Sequence, residues 1–299
     1  MRVKLWGVRG SVAAPGPETA RYGGNTSCVE VETGGQLFII DAGTGIRPLG
    51  NVLKERCQQE LLNAAVLIGH THWDHIQGFP FFVPLYMKGN RFTIYGPSGT
   101  SKSLHEKLDG QMSWDYFPVS LSDVGSELEF RDVGEEVLDF DGVTVKTVRL
   151  HHPGSAVGYR IESREGAFVY CSDFEPHPAT VGFLKEKKDI APGLSGEEKK
   201  LIEFVRHADI WIADGQYIMS EYLARIGWGH SPLPYTLALA ELAQVKRLII
   251  FHHDPNHTDG FIDEMDAFAR DYVAGRGNPF IVSFAAEGTE LTVPDSARR

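Results

Sequence analysis

Three histidines and an aspartate fall within six positions, His70-Thr71-His72-Trp73-Asp74-His75, directly behind the apolar run Ala65-Val66-Leu67-Ile68. A short apolar run of this kind reads as a buried strand, so the cluster stands on a rigid base. Zinc and similar ions take imidazole nitrogen and carboxylate oxygen, and several such groups must converge. In an extended segment, side chains two apart point the same way. His70 and His72 therefore project together, while Asp74 and His75 can turn toward a second ion. A plain surface turn accounts poorly for this density of donors.

One segment cannot fill two ions, and each later strand end offers a further donor. Leu150-His151-His152-Pro153-Gly154 supplies a histidine, Tyr170-Cys171-Ser172-Asp173 a carboxylate, and Phe251-His252-His253-Asp254-Pro255 another histidine. Singly, each reads as a hydrogen-bonding cap. Together they read as a metal site at the C-terminal ends of strands, where sites gather in layered α/β folds.

Apolar or alternating runs predict strands at 3–8, 28–32, 37–40, 65–68, 92–95, 143–150, 157–163, 167–171, 209–213, 247–251 and 280–284. Helical spacing covers 46–59, 101–110, 197–207, 233–244 and 259–273, with Gly275, Gly277 and Asn278-Pro279 breaking the chain before the last strand. Strands paired locally and then interleaved with helices imply sheets covered by helices. Without a break in composition, all 299 residues read as one domain, with a surface excursion near 176–206 where Pro, Gly and a Lys/Glu-rich run collect.

The motifs HTHWDH, LHHPG, YCSDFEP and IIFHHDP, in that order, resemble those of the metallo-β-lactamase-fold hydrolases. Within them the chain is most similar to the branch holding ribonuclease Z and related phosphodiesterases, including cyclic-nucleotide phosphodiesterases. The resemblance runs from GVRGSV through RYGGNTSCVEV and FIIDAGTGIR to HHDP. It implies an α/β chain folded as an αββα four-layer sandwich, with two divalent ions, zinc as first choice and manganese as second.

Carried onto this sequence, the resemblance places His70, His72 and His152 on one ion, Asp74, His75 and His252 on the other, and Asp173 on both. His152 is preferred over His151 because it precedes Pro-Gly, and His252 over His253 because it is nearer the strand end. His253, Asp254 and His257 are then candidates for substrate contact, and Asp41 in IIDAGTG for orienting a ligand histidine. The Gly23-Gly24-Asn25-Thr26 turn is equally well read as packing. Trp73, Tyr86, Trp114, Tyr116 and Phe117 could stack on a base, although aromatics at this density usually belong to a core.

The element Gly227-Trp228-Gly229-His230-Ser231 resembles the ribonuclease Z-type acid histidine, with Asp214 in the place of its acidic partner. Histidine suits proton delivery to a leaving oxygen near neutral pH, and a carboxylate would orient it. As caps, Asp214 would end a strand and His230 begin a helix. The implied reaction is phosphodiester hydrolysis by a hydroxide bridging the ions, with Asp74 orienting it and His230 as general acid.

Lys and Arg number 29 against 40 Asp and Glu, a net charge of −11. Nucleic-acid affinity depends on basic residues that displace counterions, so a small diester such as a cyclic nucleotide fits better than a long polyanion. No basic counterpart of the tRNA-gripping arm of ribonuclease Z is visible. A tRNA 3′-processing endonuclease remains the alternative, followed by a metal-binding sensor or a thioester or lactam hydrolase. Three widely spaced cysteines make no disulfide framework, and no stretch approaches the roughly 20 apolar residues of a membrane span. We expect a cytoplasmic protein without membrane association, and the resemblance implies a homodimer.

Overall fold

Alternation in the strands decides the layering. The computed structural model describes residues 1–99, 101–276 and 279–293; Gly277 and Asn278, read above as part of a chain break, lie outside them. The first sheet is built from β1 (Arg2–Gly7), β2 (Cys28–Thr33), β3 (Gln36–Ile40), β4 (Asn63–Leu67), β5 (Arg91–Pro97) and β6 (Glu127–Val133) in that spatial order. The second runs β7 (Val137–Asp139), β8 (Thr144–Leu150), β9 (Ala156–Ser163), β10 (Gly166–Cys171), β11 (Ile210–Asp214), β12 (Arg247–Phe251) and β13 (Ile281–Phe284). The chain then returns to the first sheet, where β14 (Glu290–Thr292) pairs antiparallel with β1.

Successive side chains on a strand face opposite sides, and here both sides are covered. Phe38 and Ile40 of β3, with Ala65 and Leu67 of β4, meet Phe168, Tyr170, Ile212, Ile249 and Phe251 of the second sheet in a core between the sheets. Their neighbours Leu37, Ile39, Ala64 and Val66 face outward onto α1 (Ile46–Cys57), beyond which lie the single turn α2 (Trp73–Ile76) and α3 (Leu104–Gln111). On the far side, Val169, Trp211, Leu248 and Ile250 pack with α4 (Pro178–Lys185), α5 (Gly196–Val205), α7 (Leu233–Ala243) and α8 (Asp259–Ala274), while the short α6 (Met219–Tyr222) follows β11. Two-sided burial explains why these strands are continuous apolar runs. The result is the expected αββα sandwich.

The stretch 176–206 differs from the expected excursion. It forms α4 and α5, and Leu184, Ile190, Leu201, Ile202 and Val205 are buried in the core beside the second sheet. Ser195 and Glu198 close a capping box at the start of α5, and the Glu198 carboxylate also accepts from Thr180 and Tyr235. The Lys/Glu run is the solvated face of a packed helix. The three cysteines are free, and among the described residues no helix is long and apolar enough to cross a membrane.

Candidate metal centre

The ends of β3, β4, β8, β10, β11 and β12 open on one rim of the sandwich and bring the site together. Three groups of donors form there, and the third, Asp214, His230 and His252, is taken up with His230 below. His70, His72 and His152 make the first, and Asp74, His75, Asp173 and His252 the second, with the donor atoms of each group within 4.8 Å of one another. Asp173 lies between these two, its carboxylate 3.6 Å from His70 Nε2, 3.2 Å from His75 Nε2 and 3.4 Å from His252 Nε2. Its Oδ1 also accepts from Ser172 at 2.5 Å.

The ring orientations are fixed from behind. Asp41, just past β3, accepts from the Gly69 backbone N–H at 2.7 Å, from Tyr170 Oη at 2.5 Å and from His75 Nδ1 at 2.7 Å. His152 Nδ1 donates to the Gly229 carbonyl at 2.8 Å. In both rings Nδ1 thus points away from the cluster and Nε2 points in, with a free lone pair wherever the ring is neutral. The inward atoms then meet acceptors: His75 Nε2 lies 3.3 Å from Asp74 Oδ2 and 3.3 Å from His252 Nε2, and His152 Nε2 lies 3.2 Å from His72 Nδ1. The buried His70 Nε2 has no hydrogen-bond partner among the described residues. Lone pairs and carboxylates facing one another repel unless a positive charge sits among them, and these donors suit divalent ions.

Protonation preferences agree. Burial, together with His75, holds His70 well below the usual histidine range, and burial lowers His152 to about 4, so both stay neutral donors. Burial opposes ionisation of Asp74 and Asp173, yet the surrounding imidazoles keep both well below the carboxylate range. His75 is raised despite its burial, because Asp173, Asp74 and Asp41 surround it. A proton there answers the same negative field that a metal ion would.

Two residues hold the left-handed backbone conformation next to these donors, Asp41 at φ 59° and His252 at φ 61°. For a side chain as large as imidazole this costs about 1–2 kcal/mol, and the surrounding packing imposes it. Gly10 is required beneath His252, since a Cβ there would meet the imidazole Nδ1 at 2.3 Å.

The doubled histidines separate cleanly. His152 joins the cluster, whereas His151 is exposed, bonds the Glu175 carbonyl through Nδ1 and stacks on His177. His252 joins it too. His253 does not: its Nε2 bonds the Ala285 carbonyl at 2.8 Å, its ring packs on Phe284 and Tyr22, and burial lowers it to about 3. The expected substrate contact at His253 is corrected accordingly. Asp254 caps its own turn by accepting from the Asn256 backbone and side chain, and His257 bonds Glu221 at 3.0 Å. Both are buried. The Gly23–Thr26 turn ties Val8, Arg9, Thr44 and Glu287 together through Asn25 and Thr26, which favours packing.

His230 and Asp214 meet as expected. His230 Nδ1 lies 2.8 Å from Asp214 Oδ2, too close for an ion between them, and Asp214 Oδ1 accepts from the backbone of Gln216 and Ser231. Burial works against a charged imidazole here, but Asp214 outweighs it and raises His230 to about 9. The ring stacks 4.8 Å from His252, so this acid–carboxylate pair borders the second donor group.

Three residues escaped the sequence reading. Glu175 accepts from the backbone of Gly227 and Gly229 and from Tyr222 Oη, fixing the loop before His230. Arg9 is fully buried and donates to the carbonyls of Gly23, Asp254 and His257, holding the segment behind His252. Ser11 donates its backbone N–H to Asp74 at 2.7 Å. All three sat inside quoted motifs, Glu175 in YCSDFEP and Arg9 and Ser11 in GVRGSV, but nothing in those motifs pointed to these contacts.

A family profile described as the beta-lactamase superfamily domain matches residues 37–253. The chain belongs to the beta-lactamase superfamily. It is a metal-dependent hydrolase of that superfamily. Ribonuclease Z of Thermoplasma acidophilum is 26% identical over 223 residues, covering 65% of this chain and 70% of the relative. Among solved structures sharing the superfamily fold, unliganded yeast PDE1 superposes with a TM-score of 0.66 at 14% identity over 97% of this chain and 99% of its own. Zinc-bound PqqB from Methylobacterium extorquens gives 0.62 at 18% identity, covering 97% and 99%.

Proposed function

We propose that this superfamily member hydrolyses a small phosphodiester, a cyclic nucleotide in the first instance, with two divalent ions, zinc first and manganese second. The observation that carries the reading is the His230–Asp214 pair, 2.8 Å apart, beside the donor groups. Hydrolysis of a diester needs a proton at the leaving oxygen, and a histidine held charged through neutral pH supplies it.

His70, His72 and His152 would hold one ion, Asp74, His75 and His252 the other, and Asp173 would contact both. When bound, such ions lower the pKa of a water and offset charge on the phosphoryl oxygens. The protein's own groups do the rest. Asp74, fixed by the Ser11 N–H, orients the attacking water, whose oxygen bonds to phosphorus as its proton passes to bulk solvent. With Nδ1 committed to Asp214, His230 uses Nε2 to protonate the departing oxygen as its bond to phosphorus breaks. Tyr170 and Gly69 hold Asp41, which holds His75.

The net charge of −11 favours small substrates. Identity to ribonuclease Z supports a second reading, a tRNA 3′-processing endonuclease. A panel of cyclic nucleotides, linear dinucleotides and pre-tRNA, run with zinc and then manganese, separates the two. Turnover of small diesters is expected; strong pre-tRNA cleavage with none of it would overturn the choice.

A further inference from the structure

Trp73 and Trp228 are 67% and 61% exposed, yet each is attached to the His72–His152 pair. Trp73 follows His72 at the start of α2. Trp228 precedes Gly229, whose carbonyl bonds His152 and whose own Cα sits so close that a Cβ there would meet the His152 ring at 2.3 Å. An isolated exposed aromatic is ordinary. Here the backbone is held: the N–H groups on either side of Trp228, at Gly227 and Gly229, both donate to the buried Glu175 carboxylate, at 2.6 and 2.8 Å. A large apolar ring is thus kept in solvent on a fixed support.

A chain of ring contacts leads from Trp228 back to the acid. The Arg225 guanidinium lies 5.9 Å from the Trp228 ring centroid and 4.9 Å from that of Tyr217, and Tyr217 lies 6.0 Å, edge-on, from His230. Arg225 donates to the Glu221 carbonyl and has no carboxylate partner among the described residues. A cation left unpaired in a chain of net charge −11 favours an anionic visitor at this wall.

We propose that Trp228 and Trp73 form a stacking wall that selects phosphodiesters carrying a nucleobase, with Arg225 fixing Trp228 and attracting the anion. This rests on the phosphodiester reading and names its substrate class. Every base has a π-face, and loss of such a stack weakens binding substantially. Stacking specifies a base without choosing which one, so purine and pyrimidine diesters are both accepted.

The test compares a nucleoside 2′,3′-cyclic phosphate with ribose 2′,3′-cyclic phosphate, which lacks the base, on metal-loaded wild type, Trp228→Ala, Trp228→Phe and Trp73→Ala. Metal content and thermal melting establish that each variant is folded. Trp228→Ala should raise the ratio of KM values, nucleotide over base-less diester, about tenfold, with kcat on the nucleotide changed far less, and Trp228→Phe should recover most of it. Independently of turnover, a non-hydrolysable nucleoside cyclic phosphorothioate should quench tryptophan fluorescence saturably in wild type and much less in Trp228→Ala. Equal KM values for the two diesters in wild type, or an unchanged ratio in the variants, overturn the proposal. So does a Trp228→Ala change confined to a dimer-to-monomer shift in solution mass, which would make the wall an interface between copies. If no diester is turned over, the phosphodiester reading fails; persistent quenching would keep the wall as a nucleotide site, and its absence would overturn the wall too.

Discussion

At the scale of single residues, the site depends on groups that touch the donors from behind. Asp41 holds His75 through Nδ1 and so turns its Nε2 toward the other donors. Asp41→Asn should therefore leave the fold intact and weaken metal binding about 10- to 100-fold, measured by competition with a chromogenic chelator. Asp214 acts on His230 in a second way. A general acid must be protonated, so its contribution fades as pH rises through its pKa, near 9 with the carboxylate in place. In Asp214→Asn burial still disfavours the charged ring, but the compensating attraction is gone. The alkaline limb of the kcat profile should move down by more than one pH unit, read from rates between pH 5 and 10 on a small diester. A limb that stays in place would mean that His230 is not the acid.

Among the elements, the loop between α6 and α7 holds the most concentrated geometry. Gly229 sits at φ 88° against the His152 ring. Gly229→Ala strains the backbone and pushes His152 aside, so on the proposed two-ion reading bound metal should fall by about one ion per chain, as elemental analysis after gel filtration would show. Much of the fold was legible at this scale. The strand read at 247–251 is β12, and the helix read at 259–273 ends one residue further on as α8, because two-sided burial writes long apolar runs. The strands that escaped, β6, β7 and β14, are all at sheet edges. β7 and β14 are three residues each, too short to show a period, whereas β6 does alternate at Glu127-Leu128-Glu129-Phe130 but among charged residues. The donor set was legible because His70 to His75 lie in one short run at a strand end. Of the supports only Asp41 was, since Tyr170 reaches Asp41 across 129 positions and Arg9 reaches His257 across 248. Sequence spacing holds no trace of such meetings.

For the molecule as a whole, stability and occupancy are linked. Ligands that bind only the folded state stabilise it in proportion to the logarithm of concentration over Kd, and here the donors exist as a set only after folding. Chelation should lower the melting temperature by several degrees, and added zinc should restore it; scanning calorimetry with and without chelator decides. The arrangement of the two sheets gives this linkage a direction. The loop after β4 belongs to the first sheet, while His152, Asp173 and His252 belong to the second, and each of the first two donor groups draws on both. Neither sheet owns a complete set. Metal seated there would act as a rivet across the seam between two otherwise oil-filled plates, so scarcity of metal would be felt first as looser docking of one plate on the other, ahead of any unfolding within either.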